Sequence, residues 1–301
     1  MTNFNKALGE GFGRGELGAA LNYDSKDQFG GQKIGGLYID GVVLPGGSVQ
    51  GTYSASATQN YLLGARRVTQ DGRVFKYAYA TNEISSTHFG LKFWNKLSDG
   101  VTYTAVKQNQ VVGDRTVWID AGGDGAVTED ELKGGYLVVH THSDNYAQNR
   151  LITGNTLADS DGYTIVTVDG GWTIALTTSH AVEIIKNPYS SVQLRQDNQN
   201  PPTDAYSSIA GIPMCKTTAA NYYLWLQTWG PIWINPQGGS LQDSDLVHNE
   251  RQLVFDYVGS VCVVGDAGNT TVSLQHAGFI IDRTASGASG PPFVMLQITP
   301  W

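Results

Sequence analysis

The chain has 301 residues, of which 41% are hydrophobic and only 15% are charged, and its formal net charge is −8. So few charges beside so many apolar residues predict extensive burial, and the negative charge argues against a phosphate-binding surface. We therefore expect no nucleic-acid partner. The two cysteines, Cys215 and Cys262, do not make a disulfide framework and fit synthesis in a reducing cytosol.

The N-terminal stretch predicts an extended arm. It begins MTNFNKALGEGFGRGELG and has no apolar core, so we expect no signal peptide. Its repeated glycines disfavour a helix. Residues 1–32 fit either a floppy tail or an arm that orders against a neighbouring subunit. No run in the chain approaches the ~18 apolar residues of a membrane span, so we expect no membrane partner.

The stretch Tyr61–Ala80, YLLGARRVTQDGRVFKYAYA, predicts a β-hairpin with arms Leu62–Thr69 and Arg73–Tyr79. Asp71-Gly72 suits a two-residue turn, in which both central residues need positive φ. Such a turn fixes the pairing, because each residue's partner then follows by counting.

With that turn, Arg66 faces Tyr77, and Arg67 faces Lys76 on the opposite side of the hairpin. Two cations directly opposed are unfavourable unless water or a carboxylate covers them. A carboxylate from another chain would satisfy them. The sequence therefore predicts an interaction surface at Arg66, Arg67 and Lys76.

Further β-rich runs follow at short intervals, which is typical of a sandwich or barrel. The stretch 84–97 is predicted as mainly extended or loop. Asn200-Pro201-Pro202 excludes a central strand and marks a boundary. The run 219–234 is predicted as a core strand that Gly230-Pro231 breaks. The other predicted strands are Leu37–Ile39, Val42–Leu44, Val101–Val106, Thr116–Ile119, Tyr136–His140, Tyr163–Val168, Trp172–Leu176, Leu253–Val258, Val261–Val264, Val272–Gln275, Ala277–Ile281 and Phe293–Ile298.

Two clusters have metal-ligand character. Asp120, Asp124 and Glu131 match EF-hand positions 1, 5 and 12, but position 3 is a glycine, and the flanks predict strands where an EF-hand has helices. An acidic β connection is the favoured interpretation, and calcium is the alternative. His140 and His142, near Asp144, would share a strand face and suit zinc, but the spacing suggests no further ligand. We favour surface or interface histidines there.

Several segments resemble virion structural proteins of tailed bacteriophages, and they occur in a consistent order along the chain. The resemblance covers about two-thirds of the chain and excludes the N-terminal 60 residues and the 84–100 stretch. The segments are LGARRVTQDGRVFKYA in the hairpin, VTEDELKGGYLVV at 127–139, NRLITGNT at 149–156, TIALTTSHAVEIIKNPYSSVQL at 173–194, YYLWLQTWGP within 219–234, and VVGDAG with the final aliphatic strand.

The resemblance implies a structural protein of the particle that binds without chemistry. The expected role is capsid decoration or cement, located on the virion, with the major capsid protein as partner and a homo-oligomer, a trimer being favoured, because capsids offer three-fold positions. No nucleophile, phosphate-loop or dinucleotide motif occurs, so we expect no enzyme activity and no cofactor. The alternatives are a head fibre or tail protein, a host-surface carbohydrate-binding module and a β-rich glycan-degrading enzyme.

The sequence thus predicts an all-β fold of small sandwich or barrel modules. The predicted organisation is an arm at 1–32, a main β domain at 33–190, a linker at 191–217 and a C-terminal module at 218–301. Trp225, Trp229 and Trp233 surround Gly230. Core and interface packing is the favoured role of these tryptophans, with stacking on sugars as the alternative. We predict contacts through the arm, the Arg67/Lys76 face and the Trp229–Trp233 region.

Overall fold

The structure is a computed structural model, and it is all-β in its described part, as predicted. It describes residues 32–34, 37–39, 49–93, 103–122, 126–140, 147–194, 208–236, 251–256, 258–263, 275–282 and 292–299. The predicted N-terminal arm therefore lies almost entirely outside the described residues. So do Val42–Leu44, Asn200-Pro201-Pro202 and most of Val272–Gln275.

Eighteen strands form within the described residues. They are β1 Gln32–Ile34, β2 Leu37–Ile39, β3 Arg66–Thr69, β4 Val74–Ala80, β5 Leu91–Phe93, β6 Tyr103–Ala105, β7 Thr116–Asp120, β8 Tyr136–His140, β9 Ala147–Asn155, β10 Tyr163–Val168, β11 Ala181–Ile185, β12 Val192–Gln193, β13 Ile209–Pro213, β14 Tyr222–Trp233, β15 Gln252–Phe255, β16 Val261–Val263, β17 His276–Asp282 and β18 Phe293–Gln297.

The chain divides into two compact units, with boundaries that differ from the predicted domains. Unit 1 comprises Met1–Trp94 and Ser191–Trp301, and unit 2 comprises Asn95–Ser190. Two strands, β12 and β13, lie in the range 191–217 that we predicted as a linker. Their pairing with β5 explains the difference, because it returns the chain to the sheet that the hairpin belongs to.

Unit 1 is built around the twelve-residue strand β14, the predicted core strand. Strands β4, β12, β5, β13 and β14 pair in sequence, and β14 pairs back onto β4, so these five strands form a closed ring. The second half of β14 starts another series, β14-β18-β17-β15-β16. Pro236, just past β14, bridges to Val261 of β16 and closes that series as well. Both barrel-like modules therefore share β14.

Unit 2 is a six-stranded sheet in the order β6-β11-β8-β9-β10-β7. Its edge strands meet through a bridge between Val106 and Ile119, and the Lys107 amide donates to the Trp118 carbonyl at 2.9 Å. Inward residues of β7 to β11, together with Val106 just after β6, form one buried cluster, with Trp172 as its largest member. Strand β8 begins and ends where we predicted, because its buried positions alternate strictly.

One strand prediction in this unit is wrong, and two strands, β9 and β11, were not predicted. Trp172–Leu176 forms no strand, and only Leu176 makes an isolated bridge, to Gln110. The backbone of Gly171 lies against that of Gly113, and this close approach interrupts a regular ladder. Conversely, β9 was not predicted, because its sequence AQNRLITGN is largely polar.

The predicted hairpin forms, but its register differs by one residue. Arg66 pairs with Lys76, and Arg67 pairs with Phe75. The turn has three loop residues, because the Thr69 amide donates to the Arg73 carbonyl at 3.0 Å and Gly72 adopts φ 82°. This is the three-residue loop in which glycine takes the left-handed position. A one-residue shift reassigns every facing pair, so the predicted Arg67–Lys76 pair does not exist.

Strand β14 runs through Gly230-Pro231, where we predicted a break. A β-bulge lies between Gln227 and Trp229. Gly230 adopts φ 99°, and a Cβ there would lie 2.8 Å from Cγ of Arg73. Pro231 removes a backbone donor, yet the strand continues by pairing Pro231 with Met295.

Candidate functional site

Arg67, predicted at a surface, is fully buried in unit 1. Its Nη1 donates to Oγ1 of Thr52 and its Nη2 donates to the Gln50 carbonyl, each at 2.7 Å. Its Cζ lies 4.0 Å from the ring centroid of Trp225 and 5.9 Å from that of Tyr61. No carboxylate among the described residues contacts it. The guanidinium is therefore held by two hydrogen bonds and by aromatic faces, which is a structural role.

The surroundings of Arg67 form a connected polar and aromatic network. The Tyr77 hydroxyl donates to Oε1 of Gln50 at 2.7 Å, and its ring lies 5.2 Å from Tyr61 and 5.0 Å from Trp225. Burial lowers the pKa of Arg67 to about 10, an effect that Tyr61 and Tyr77 partly offset. Burial likewise raises the pKa of Tyr77 to about 12. Arg67 and Tyr77 therefore keep their ordinary protonation at neutral pH.

The three predicted tryptophans do not share a face. Trp225 is fully buried against Arg67, whereas Trp229 and Trp233 are partly exposed. Residues 224–228 are all buried, and only beyond the bulge after Gln227 do buried even-numbered residues alternate with partly exposed odd-numbered ones. Ile232 and Ile234 belong to the core of the C-terminal series of strands, a buried cluster separate from the one that contains Trp225. Trp225 is therefore removed from the candidate surface, while Trp229 and Trp233 remain.

Beyond the bulge, the outward side chains of three adjacent strands form a surface that we call the aromatic face. It consists of Trp229, Pro231 and Trp233 of β14, Phe293 and Met295 of β18, and Phe279 of β17. In register, Trp233 lies opposite Phe293, and Pro231, Met295 and Phe279 lie in one row. Phe293 is 45% exposed and Phe279 is 40% exposed. The predicted Trp229–Trp233 region is thus the centre of a larger exposed surface.

Unit 2 presents a second exposed group that sequence reasoning missed, the apolar row Ile185, Tyr136 and Leu151. These residues lie side by side on β11, β8 and β9, because Tyr136 pairs with both of the others. Tyr136 is 43% exposed, and both partners are also exposed. Single exposed apolar residues are ordinary, whereas a contiguous group marks a contact surface. The signal was available in YLVVH, where the aromatic is out of phase with Leu137 and Val139.

The calcium candidates are already engaged with lysines. Asp120 forms an ion pair with Lys107 at 2.9 Å, and Glu131 forms one with Lys186 at 2.8 Å. Asp124 lies outside the described residues, as do His142 and Asp144 of the zinc candidate. Within the part of the chain that the structure describes, no group of three or more potential ligands could hold a metal ion. Calcium binding by this segment remains the untested alternative to an acidic β connection.

The Glu131–Lys186 pair contributes to the stability of unit 2. Burial opposes ionisation of Glu131, but hydrogen bonds from Lys186 and the Thr128 amide outweigh it, so the pKa of Glu131 lies below its ordinary value. A carboxyl with a lowered folded-state pKa stabilises above its unfolded pKa, and this contribution is lost as pH falls. We expect Glu131→Gln to reduce the free energy of unfolding at pH 7 by about 1 kcal/mol.

The difference in the free energy of unfolding between the native protein and Glu131→Gln should shrink as pH falls below 4.5, the ordinary pKa of the glutamate carboxyl. Urea unfolding between pH 3 and pH 7 measures it. The control is Glu129→Gln, two residues away and exposed, which should change stability by less than about 0.5 kcal/mol. A loss for Glu131→Gln that did not vary with pH would contradict the ion-pair contribution.

No protein-family model, no curated protein and no solved structure matches the chain. None of the described residues forms a helix long and apolar enough to cross a membrane. The two candidate surfaces are the aromatic face of unit 1 and the apolar row of unit 2.

Proposed function

We propose that the chain is a structural protein of a tailed-phage virion that decorates or cements the head by binding the major capsid protein. One observation supports this most directly. Each residue of the apolar row comes from a different segment that resembles phage virion proteins: Tyr136 from 127–139, Leu151 from 149–156 and Ile185 from 173–194. The segments that carry the resemblance thus build one contiguous exposed surface.

Strand pairing inside unit 1 also supports the proposal. The hairpin segment and the 219–234 segment, which also resemble the phage proteins, pair directly with one another through β4 and β14. The register extends from Tyr222 opposite Ala80 to Trp229 opposite Val74. The resemblance therefore follows the paired scaffold of each unit, which is what a shared architecture would produce.

The proposed mechanism is binding without chemistry. Burying the apolar row against a capsid protein removes apolar surface from water, which is worth roughly 25 cal/mol per Å². A stable interface needs about 800 Å² on each partner. Three side chains supply only the centre of such an area. Many copies on one particle, arranged as homo-oligomers with a trimer favoured, would raise the overall avidity.

The test is made on particles. Heads and tails are separated and the copy number of the chain in each is measured by mass spectrometry. The proposal expects many copies on heads, and heads assembled without the chain should break at lower temperature or milder osmotic shock. Recovery of the chain only with tails would favour the tail alternative, and its absence from mature particles would refute the proposal.

A charge placed in the apolar row should prevent attachment to heads. Leu151→Asp introduces an unpaired carboxylate where the partner must exclude water, and we expect head binding to weaken at least about a hundredfold. The measurement is sedimentation of the purified variant with bare heads. Asn149→Asp is the matched control, because it adds the same charge to an exposed residue two positions away on the same face of β9. Equal binding by both variants would exclude the apolar row as the docking site.

A further inference from the structure

The aromatic face of unit 1 is rich in aromatic side chains, although it lies on the outer side of the barrel wall. Its three rows are Trp229 with Gln297, Pro231 with Met295, Phe279 and Gln252, and Trp233 with Phe293 and Asp282. Asp282, exposed at the end of the third row, is the only charged side chain among these residues. The opposite side of the same strands already contains the core, with Ile232, Val294 and Leu296 buried there. The outward aromatics are therefore additional to that core.

Amide and imidazole groups lie at the margins of the aromatic face. Gln297 hydrogen-bonds His276, with 3.1 Å between Oε1 and Nε2. The His88 ring meets Trp233 edge-on, with 4.3 Å between ring centroids. Gln252 is exposed at the end of the Phe279 row. Flat apolar rings bordered by amide and imidazole groups match a neutral sugar, whose C–H faces stack on aromatics while its hydroxyls bond polar groups at the rim.

The size of the aromatic face argues for a small ligand. Trp229 and Trp233 are four residues apart on a strand, which is about 13 Å, and strands β14 to β15 span about 14 Å across the sheet. The described face thus covers roughly 200 Å². A short ligand lying along β14 would use all of it.

We infer that the aromatic face binds an extended, neutral, β-linked glycan chain, with Trp229, Trp233 and Phe293 as stacking residues. Extended β-linked chains present flat sugar faces in succession, which suits a sheet surface that carries aromatics along one strand. Coiled α-linked chains do not present such a flat edge. The inference concerns unit 1 alone, so it stands or falls independently of whether the chain attaches to heads through unit 2.

The test is calorimetric titration of the full chain with cellohexaose and chitohexaose, with maltohexaose as the α-linked comparison. We expect saturable binding of at least one β-linked hexasaccharide and weaker or no binding of maltohexaose. Trp229→Ala, Trp233→Ala and Phe293→Ala should each weaken binding by about tenfold or more, because each removes a stacking ring. Trp233→Phe should recover part of the affinity, since it restores a ring.

The control is Tyr136→Ala, which removes an exposed aromatic from unit 2 and should leave glycan binding unchanged. Melting curves establish that each variant is folded, and Phe293, with its high exposure, is the variant least able to disturb the core. Three results would overturn the inference: no saturable binding of either β-linked hexasaccharide, binding undiminished in all three alanine variants, or sedimentation showing that these variants dissociate an oligomer, which would make the face a contact between copies.

Discussion

Replacing Arg67 with alanine is expected to lower the free energy of unfolding of unit 1 by about 4 kcal/mol. The change deletes a fully buried side chain and leaves a cavity between Trp225 and Tyr61. It also leaves the Gln50 carbonyl and the Thr52 hydroxyl without their donor. Urea unfolding of the variant and the native chain measures the loss, and hydrogen exchange in β3, β4 and β14 locates it.

Two further substitutions separate the effect of side-chain volume on stability from the effect of charge at position 67. Arg67→Lys keeps the charge but loses the planar group that stacks on Trp225 and donates twice, so most of the loss should remain. Arg67→Met keeps much of the volume and removes a buried charge, so we expect a smaller loss of about 2 kcal/mol. The control Arg115→Ala, at an exposed arginine of unit 2, should change stability by less than about 0.5 kcal/mol. A similarly small effect for Arg67→Ala would contradict the central role of this cluster.

The hairpin shows that the sequence predicts the position of a turn but not the register of its strands. Asp71-Gly72 correctly located the turn, because the need for a positive φ at Gly72 is a local property. Two-residue and three-residue loops both satisfy that need, and they differ by one residue in register. The three-residue loop places Arg67 between Gln50, Thr52 and Trp225, which are distant from it in sequence. Local signals therefore fixed the turn, and tertiary packing fixed the register.

The tryptophans of β14 illustrate the same limit for the candidate site. The sequence groups Trp225, Trp229 and Trp233 because they surround Gly230. The bulge at Thr228 separates Trp225 from the other two, yet no residue type demands a bulge there. The sequence carries no trace of it, because the aliphatic residues Leu224, Leu226, Ile232 and Ile234 lie on even positions on both sides of the bulge.

A Gly278→Ala variant should lose at least about 3 kcal/mol of stability in the C-terminal module of unit 1. Gly278 adopts φ 139°, a conformation that L residues rarely take, and a Cβ would overlap the Met295 carbonyl oxygen on the neighbouring strand. That oxygen belongs to the backbone and is fixed by the pairing of β17 with β18, so no side-chain rotation relieves the overlap. Urea unfolding measures the total loss, and hydrogen exchange should show it in β15, β17 and β18.

The matched control for Gly278→Ala is Gly72→Ala, which separates backbone strain from overlap. Gly72 also has a positive φ, of 82°, but no atom lies within 4 Å of a Cβ built there. Gly72→Ala should therefore cost only the left-handed strain of about 1–2 kcal/mol. Because the aromatic face includes Phe279 and Met295, Gly278→Ala should also weaken binding of a β-linked hexasaccharide, while Gly72→Ala should not. Equal losses of stability in the two variants would mean that the close approach of β17 to β18 does not constrain residue 278.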